Sequence, residues 1–144
     1  QIAKYYCNAL LVVESNTLET ERCDGDGGEY VLDTIGRFYR NVYCRPGTCR
    51  VGFHTNCETK QKALYDLIAA VRDGTYVEHD AKAVDEMSWY EQKSNGQWGA
   101  MRGKHDDILM TRCITLKVIN DTRRQQWLAR RGGSKECLLV PTVV

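Results

Sequence analysis

Three acidic residues in this sequence have the types and settings needed to hold a divalent cation. Glu14 comes directly after the apolar run Ala9–Val13, and Asp106 and Asp107 are adjacent acids that follow Gly103-Lys104-His105. A carboxylate at the end of a buried strand costs free energy unless it is paired or binds a cation. Two Mg²⁺ or Mn²⁺ ions about 4 Å apart can activate water and stabilise the leaving oxygen in phosphodiester hydrolysis, and carboxylates are their preferred ligands. The acids therefore indicate a candidate metal site for a hydrolase.

Each of these residues also has a simpler interpretation. Acids at a helix start can cap the first N–H groups and favour the helix dipole, and from composition alone this is the commoner role for Asp106 and Asp107. Glu14 could simply reach water from the end of its strand. His105 is a candidate to orient or supplement a ligand or to contact phosphate, but a single histidine in this position is more often a helix-start residue.

The candidate acids would be positioned by alternating strands and helices. Short apolar runs indicate strands, and apolar side chains at helical spacing indicate helices. The predicted strands are a buried one at 10–14 and shorter ones at 42–45, 88–92 and 98–101, the last two joined by an Asn95-Gly96 hairpin turn. The predicted helices are 29–39, one that follows Thr55 and runs to about Asp73, 80–87 with Asp80 as its cap, 106–120, and a basic continuation at 125–131.

The helix that follows Thr55 has a recognisable start. Thr55 and, three residues later, Glu58 form a capping-box pattern, so Thr55 is the predicted cap. Lys60 is predicted to be a solvated lysine near the helix start rather than a functional one. The predicted buried face consists of Ala63, Leu64, Leu67, Ile68 and Val71.

Length and composition indicate one globular domain, 1–144. The chain has 144 residues, of which 42% are hydrophobic and 27% charged, as is typical of a folded domain. No apolar run approaches the roughly 20 residues that cross a bilayer, so no membrane partner is predicted. No Gly-x4-Gly-Lys-Ser/Thr run is present, so this segment does not use ATP through a P-loop.

Basic residues concentrate towards the C-terminus. Residues 102–135 hold nine basic and three acidic residues, in a chain whose net charge is only +1. The basic tail at about 121–144 predicts a polyanion partner, with a solvated helix face as the alternative. Contacts with DNA phosphates would give affinity without sequence readout. The candidate DNA-binding residues are Lys104, Arg123, Arg124, Arg130 and Arg131.

The seven cysteines are irregularly spaced. Their odd number and the lack of a secretion signal favour reduced intracellular thiols. Cys44, Cys49 and Cys57 could form a zinc site with His54, but their spacing fits the usual structural zinc site poorly. Free thiols are therefore the main prediction, and a disulfide between Cys44 and Cys49 is an alternative.

Three segments, taken in order, resemble the nuclease domain of bacteriophage large terminases. Ala9–Thr17 is similar to the stretch in which an apolar strand delivers that family's second metal-binding carboxylate. Gly52–Asn56 with Thr59-Lys60 resembles the segment before the family's next helix. Gly103–Met110 resembles its closing Gly-x-His-Asp-Asp motif, which opens a helix. The matches span roughly residues 2–119.

The resemblance implies an α/β fold with the ribonuclease H-like mixed β-sheet flanked by helices. It also implies a divalent-metal-dependent endodeoxyribonuclease that cuts concatemeric double-stranded DNA during genome packaging. Glu14 would be the strand carboxylate, and Asp106 or Asp107 the final ligand, with the choice between them open. The implied cofactor is Mg²⁺ or Mn²⁺ in a two-metal site.

The same resemblance implies partners and a location. Besides double-stranded DNA, the partners would be the N-terminal ATPase domain of the same protein, the portal and the small terminase subunit. The protein would be encoded by a phage or prophage and act in the cytoplasm of a bacterial host.

One departure from the family pattern concerns its first carboxylate. That residue is an aspartate on the first strand of the fold, whereas no aspartate precedes Glu14 here. The sequence therefore predicts an N-terminally incomplete fold, and this chain alone would be a poor nuclease. The alternatives are another ribonuclease H-like nuclease, such as a junction resolvase or transposase, and a non-catalytic module that docks on DNA or on the portal.

Overall fold

The structure, a computed structural model, describes residues 1–16, 18, 30–48 and 50–132 of the chain. Within these ranges are five helices and one antiparallel sheet of two strands. The helices are α1 (Ile2–Tyr5), α2 (Val31–Phe38), α3 (Cys57–Arg72), α4 (Ala81–Ser88) and α5 (Asp107–Gly132). The strands are β1 (Tyr90–Gln92) and β2 (Trp98–Ala100). The α/β class is thus confirmed, while the ribonuclease H-like arrangement stays a prediction.

The chain divides into two compact units, the first ending at Thr55 and the second beginning at Asn56. None of the helices in the described ranges combines the length and the apolar content that crossing a bilayer requires.

The first unit is built from extended segments that pair through single bridges. Leu11 bridges Val42, and Glu14 bridges Phe53, both in parallel orientation. Backbone hydrogen bonds of 2.7 to 2.9 Å flank the two bridges. The extended segment 11–15 therefore pairs first with the chain around Val42 and then with the chain around Phe53. Leu10 is 41% exposed. The prediction of a buried strand here is therefore wrong, because the segment is paired along its backbone but its side chains are only partly covered.

Gly52 allows a close backbone approach in the first unit. Its φ of +88° is a left-handed conformation that favours glycine. A Cβ at this position would lie 2.7 Å from the Cβ of Ser15 and 3.0 Å from the carbonyl oxygen of Val13. Ser15 is fully buried, and its hydroxyl donates to the carbonyl oxygen of Phe53 at 3.2 Å. The segment that carries Glu14 is thus packed directly against the chain at Gly52.

The core of the first unit is small. Among its described residues, the buried hydrophobic side chains are Leu32, Tyr43 and Phe53. The two aromatic rings have centroids 6.3 Å apart. Leu32 comes from α2, which confirms a helix within the predicted range 29–39. The helix is shorter than predicted, because Tyr30 and Tyr39 are its extended caps, and residue 29 lies outside the described residues.

The core of the second unit lies between α3 and α5. Ala63, Leu64 and Leu67 of α3 pack with Leu109 and Cys113 of α5, and each of the five is at most 4% exposed. Burial raises the pKa of the Cys113 thiol to about 12, so this thiol is neutral at physiological pH. The α3–α5 pair is therefore the scaffold that positions the start of α5.

Two details of α3 differ from the sequence-based prediction. The cap is Asn56 rather than Thr55: the Asn56 side chain accepts from the N–H of Thr59 at 2.9 Å, and the Thr59 hydroxyl accepts from the N–H of Asn56 at 2.8 Å. An amide and a hydroxyl make the same reciprocal pair as a hydroxyl and a carboxylate, which shifts the cap by one residue. Ile68 and Val71 are 46% and 51% exposed, because α5 covers a narrower face of α3 than predicted.

The chain between α3 and α5 forms α4 and the β1–β2 hairpin, and a short sequence pattern predicts each of them. Asp80 caps α4, because its carboxylate accepts from the N–H of Lys82 at 3.0 Å. β1 and β2 pair as the predicted antiparallel hairpin. Gly96 in its turn has a φ of +78°, but the φ of Asn95 is not positive, so the turn is not the two-residue type in which both positions are left-handed. The cap and the hairpin are confirmed, and the turn type is not.

Candidate functional site

Glu14 is exposed at the end of its extended segment. Its backbone bridges Phe53, and the buried Ser15 follows it. The side chain of Asn16 continues the pairing, donating to the carbonyl oxygen of Thr55 at 2.6 Å and accepting from the N–H of Thr55 at 2.7 Å. The backbone on both sides of Glu14 is therefore held within the first unit, while its carboxylate is open to solvent.

Asp106 is engaged in an ion pair. Its Oδ2 lies 3.2 Å from Nζ of Lys60 in the first turn of α3, and the two side chains are 27% and 28% exposed. The ammonium of Lys60 also lies 5.6 Å from the ring centroid of Tyr90. Burial lowers the pKa of Lys60, but the contacts with Tyr90 and Asp106 outweigh it and raise the pKa above its usual value. The prediction that Lys60 is a solvated lysine is therefore wrong, because it is a charged group held between two neighbours.

Asp107 has a different environment from Asp106. It is the first residue of α5 and is exposed. Its carbonyl oxygen accepts from the hydroxyl of Thr111 at 2.8 Å. Asp107 also lines an open depression of about 340 Å³. The other residues that line the depression are Asp80, Ile108, Thr111 and Arg112.

The N-terminus of α5 receives a carboxylate from α4. Oε2 of Glu86 accepts the backbone N–H of Leu109 at 2.8 Å, and Glu86 is only 7% exposed. A helix start leaves N–H groups without partners and carries a partial positive charge, so this contact stabilises the beginning of α5. Glu86 was not among the residues predicted from the sequence. It shares the covered face of α4 with Ala83, three residues earlier, but that face is identified only by the burial of Ala83 in the structure.

The loop before Asp106 carries the exposed side chains Lys104 and His105. The Lys104 ammonium lies 4.4 Å from the ring centroid of Trp89, a cation–π contact. The indole N–H of Trp89 donates to the carbonyl oxygen of His105 at 3.2 Å. Trp89 therefore holds the backbone of this loop and leaves the imidazole accessible. The role of His105 towards a metal or a phosphate stays a prediction.

The second half of α5 presents exposed arginines. The helix is continuous over 26 residues, so the predicted helix and its predicted basic continuation form one element. Arg123, Arg124 and Arg130 are exposed, while the side chain of Arg131 lies outside the described ones. Arg123 and Arg130 are two turns apart and share a face of the helix. These side chains are accessible to a polyanion, and DNA binding by them stays a prediction.

The predicted metal ligands lie in different units. Asp106 and Asp107 are at the start of α5 in the second unit, and Glu14 is in the first. A common metal site for Glu14 and these aspartates, which the resemblance to large terminases implies, stays a prediction. Among the described residues, neither unit by itself groups three His, Cys, Asp or Glu side chains that could hold a metal. The fit to a two-metal centre is therefore partial, with exposed carboxylates at Glu14 and Asp107 and a paired one at Asp106.

The cysteines in the described ranges carry free thiols, as predicted. Cys7, Cys44 and Cys57 are exposed and Cys113 is buried. Cys49, the other member of the alternative disulfide, lies outside the described residues. No zinc-binding group is found in the part of the chain that the structure describes.

Comparison of the chain with protein-family models, curated proteins and solved structures finds no match. The resemblance to large terminases therefore stays a prediction that rests on the residues themselves.

Proposed function

We propose that this chain is part of a divalent-metal-dependent endonuclease domain of the large-terminase type, with a ribonuclease H-like fold. Its substrate would be concatemeric double-stranded DNA in the cytoplasm of a bacterial host, and its cofactor Mg²⁺ or Mn²⁺. The further partners would be the ATPase domain of the same protein, the portal and the small terminase subunit.

The observation that carries this proposal is the start of α5. Gly103-Lys104-His105-Asp106 leads into a helix whose first residue is Asp107, which is the arrangement that a Gly-x-His-Asp-Asp motif requires in the resembled family. The exposed carboxylate of Asp107 is available to a cation, and hard divalent cations prefer carboxylate oxygens. The α3–α5 core and the contact from Glu86 hold this helix start in place.

Glu14 supports the same function from the first unit. Its carboxylate is exposed, and the backbone on either side of it is held by Phe53 and by the pair of Asn16 with Thr55. A ligand on a fixed backbone binds a metal with less loss of conformational freedom than a ligand on a mobile loop. A bound metal would supply an activated water and stabilise charge on the leaving oxygen.

The basic half of α5 supports double-stranded DNA as the partner. Three exposed arginines on one helix can contact phosphates without reading the base sequence. Lys104, in the loop that precedes the aspartates, adds a positive charge beside the candidate ligands. This combination favours a polyanionic substrate over a small neutral one.

A Mn²⁺ titration of the ¹⁵N-labelled chain tests the metal site, because paramagnetic Mn²⁺ broadens the amide signals of nearby residues. We expect the amides of Ser15 and Ile108, next to Glu14 and Asp107, to broaden at the same Mn²⁺ concentration. Glu14→Gln and Asp107→Asn should each abolish both effects, because each removes a ligand of a shared site.

Asp85→Asn and Glu91→Gln are matched controls, since both residues are exposed acids of the second unit, and neither variant should change the broadening. Broadening near Asp107 alone would exclude Glu14 as a ligand and reject the proposed site. Absence of broadening at both positions would reject a metal site formed by Glu14 and Asp107 in this chain and favour a DNA- or portal-docking module. Mn²⁺-dependent cleavage of a branched DNA substrate in preference to a linear duplex would instead favour a junction resolvase.

A further inference from the structure

We propose that Lys60 is a positioning residue that withdraws Asp106 from cation binding and leaves Asp107 as the metal-facing carboxylate. This inference rests on the proposed function and assigns different roles to two adjacent acids that the sequence could not distinguish.

The carboxylate of Asp106 lies against the ammonium of Lys60. Its Oδ2 lies 3.2 Å from Nζ of Lys60, and the same ammonium lies 5.6 Å from the ring centroid of Tyr90. Each of the two charged side chains is less than a third exposed. A cation on Asp106 would have to displace this ammonium or approach it closely, and like charges at such distances repel strongly where water is partly excluded.

The ion pair of Lys60 and Asp106 lies next to the α3–α5 core. Lys60 lies one turn before Ala63 and Leu64, which pack against Leu109 and Cys113 in the α3–α5 core. α3, which carries Lys60, and α5, which begins directly after Asp106, are therefore held together independently of the charges. The Lys60 side chain is only 28% exposed and its ammonium also lies against the Tyr90 ring, so the pair is less screened by water than one between two fully exposed side chains.

The two aspartates have different surroundings. Asp106 precedes α5 and Asp107 is its first residue, and consecutive residues at a helix start point in different directions. Asp106 meets Lys60 of α3, whereas Asp107 is exposed and lines a depression together with Asp80, Thr111 and Arg112. The Arg112 guanidinium is paired with Glu78 and Asp80 rather than with Asp107. Only Asp107 of the pair presents a carboxylate that a hydrated cation can reach without breaking an ion pair.

Mn²⁺ affinity, measured by electron paramagnetic resonance of free Mn²⁺, tests this assignment in a set of variants. Asp107→Asn should weaken binding by roughly tenfold or more, at least as much as loss of an outer-shell partner. Asp106→Asn should change the affinity by less than about twofold, because a side chain that does not bind the ion contributes little to the free energy of binding.

Lys60→Met distinguishes a positioning role of Lys60 from a purely structural one, because only a positioning role changes how Asp106→Asn affects the Mn²⁺ affinity. Removal of the ammonium frees the Asp106 carboxylate, so Asp106→Asn should weaken Mn²⁺ binding in the Lys60→Met background although it has little effect alone. Lys60→Arg keeps a cation at this place and should restore the insensitivity to Asp106→Asn. Thermal melts of each variant establish that it is folded at the temperature of the titration.

The outcomes separate this inference from the proposed function. If Asp106→Asn abolishes Mn²⁺ binding and Asp107→Asn does not, the inference is wrong, while a metal-dependent function stands with Asp106 rather than Asp107 as the ligand. Equal losses in both variants would also overturn it, because both acids would then be ligands. If the unmodified chain binds no Mn²⁺, both the proposed function and the role of Lys60 are rejected.

Discussion

The guanidinium of Arg112 in α5 donates to the carboxylate of Glu78 at 3.0 Å. The same carboxylate accepts from the hydroxyl of Tyr76 and from the backbone N–H groups of His79 and Asp80, and the Glu78 side chain is 11% exposed. The hydrogen bond from Tyr76, with those from Asp80 and Arg112, lowers the pKa of Glu78 to about 2. This carboxylate therefore ties α5 to the loop before α4 while it stays ionised.

The stability of the second unit should depend on this ionisation. Because the folded-state pKa of Glu78 lies below the usual 4.5, its contribution is complete above pH 4.5 and is lost as the pH falls towards 2. Glu78→Gln should lower the free energy of unfolding by about 2 kcal/mol at neutral pH, a typical value for hydrogen bonds to a charged group. Thermal melts from pH 7 to pH 2 should show the difference between the two proteins shrinking below pH 4.5. Glu91→Gln, which changes an exposed acid, should melt in parallel with the unmodified chain, and a pH-independent difference for Glu78→Gln would contradict the prediction.

Loss of the Glu86 carboxylate should destabilise the start of α5. Glu86→Leu leaves the buried N–H of Leu109 without its acceptor, which costs about 1–3 kcal/mol. Glu86→Gln retains an acceptor oxygen and should cost less. Chemical denaturation measures both, with Asp85→Leu on the exposed side of α4 as the control. Equal effects of Glu86→Leu and Asp85→Leu would show that the contact adds nothing.

Substitution of Gly52 should destabilise the first unit through both conformation and packing. Gly52→Ala puts a Cβ 2.7 Å from that of Ser15 and should cost roughly 2 kcal/mol or more. Gly47→Ala is the matched control, because Gly47 also has a positive φ, +77°, but nothing lies within 4 Å of its added Cβ. It should cost only the left-handed conformation, about 1 kcal/mol. Hydrogen exchange of the Phe53 and Ser15 amides reports on this unit, and equal protection in the two variants would contradict the packing argument.

The arginines of α5 should determine the salt dependence of DNA binding. Replacing Arg123, Arg124, Arg130 and Arg131 by Ala should make the slope of log K against log salt shallower by up to about 3.6, since each of four phosphate contacts contributes about 0.9. The control variant replaces four exposed basic residues outside α5 by Ala, which removes the same number of positive charges. They are Lys4, Lys62, Arg72 and Lys93. Fluorescence anisotropy with two unrelated duplexes measures the slope and its sequence dependence. The same slope in both quadruple variants would mean that α5 only adds net charge.

The features that the sequence predicts correctly are local. The cap at Asp80 and the hairpin at Asn95-Gly96 depend on residues within a few positions of each other. The α3–α5 core follows from helical spacing, as at Leu64 and Leu67. Even the shift of the α3 cap from Thr55 to Asn56 is an error of one residue within a correct pattern.

The features that the sequence does not predict are contacts between distant residues. Lys60 and Asp106 are 46 positions apart, and Glu86 and Leu109 are 23 apart, so no local pattern links either pair. The exposure of Ile68 likewise depends on how α5 crosses α3. For the same reason, the sequence could nominate both Asp106 and Asp107 as ligands but could not separate them.

The length of α5 sets a scale for a bound duplex. Asp107 and Arg123 are sixteen residues apart on one unbroken helix, or about 24 Å at 1.5 Å per residue. This equals about seven base pairs of B-form DNA at 3.4 Å per step. A duplex aligned with α5 and held by Arg123 would therefore meet the candidate metal ligand at Asp107 about two-thirds of a helical turn away. On the proposed function, α5 would fix the distance along the duplex between the phosphate contact at Arg123 and the candidate metal site at Asp107.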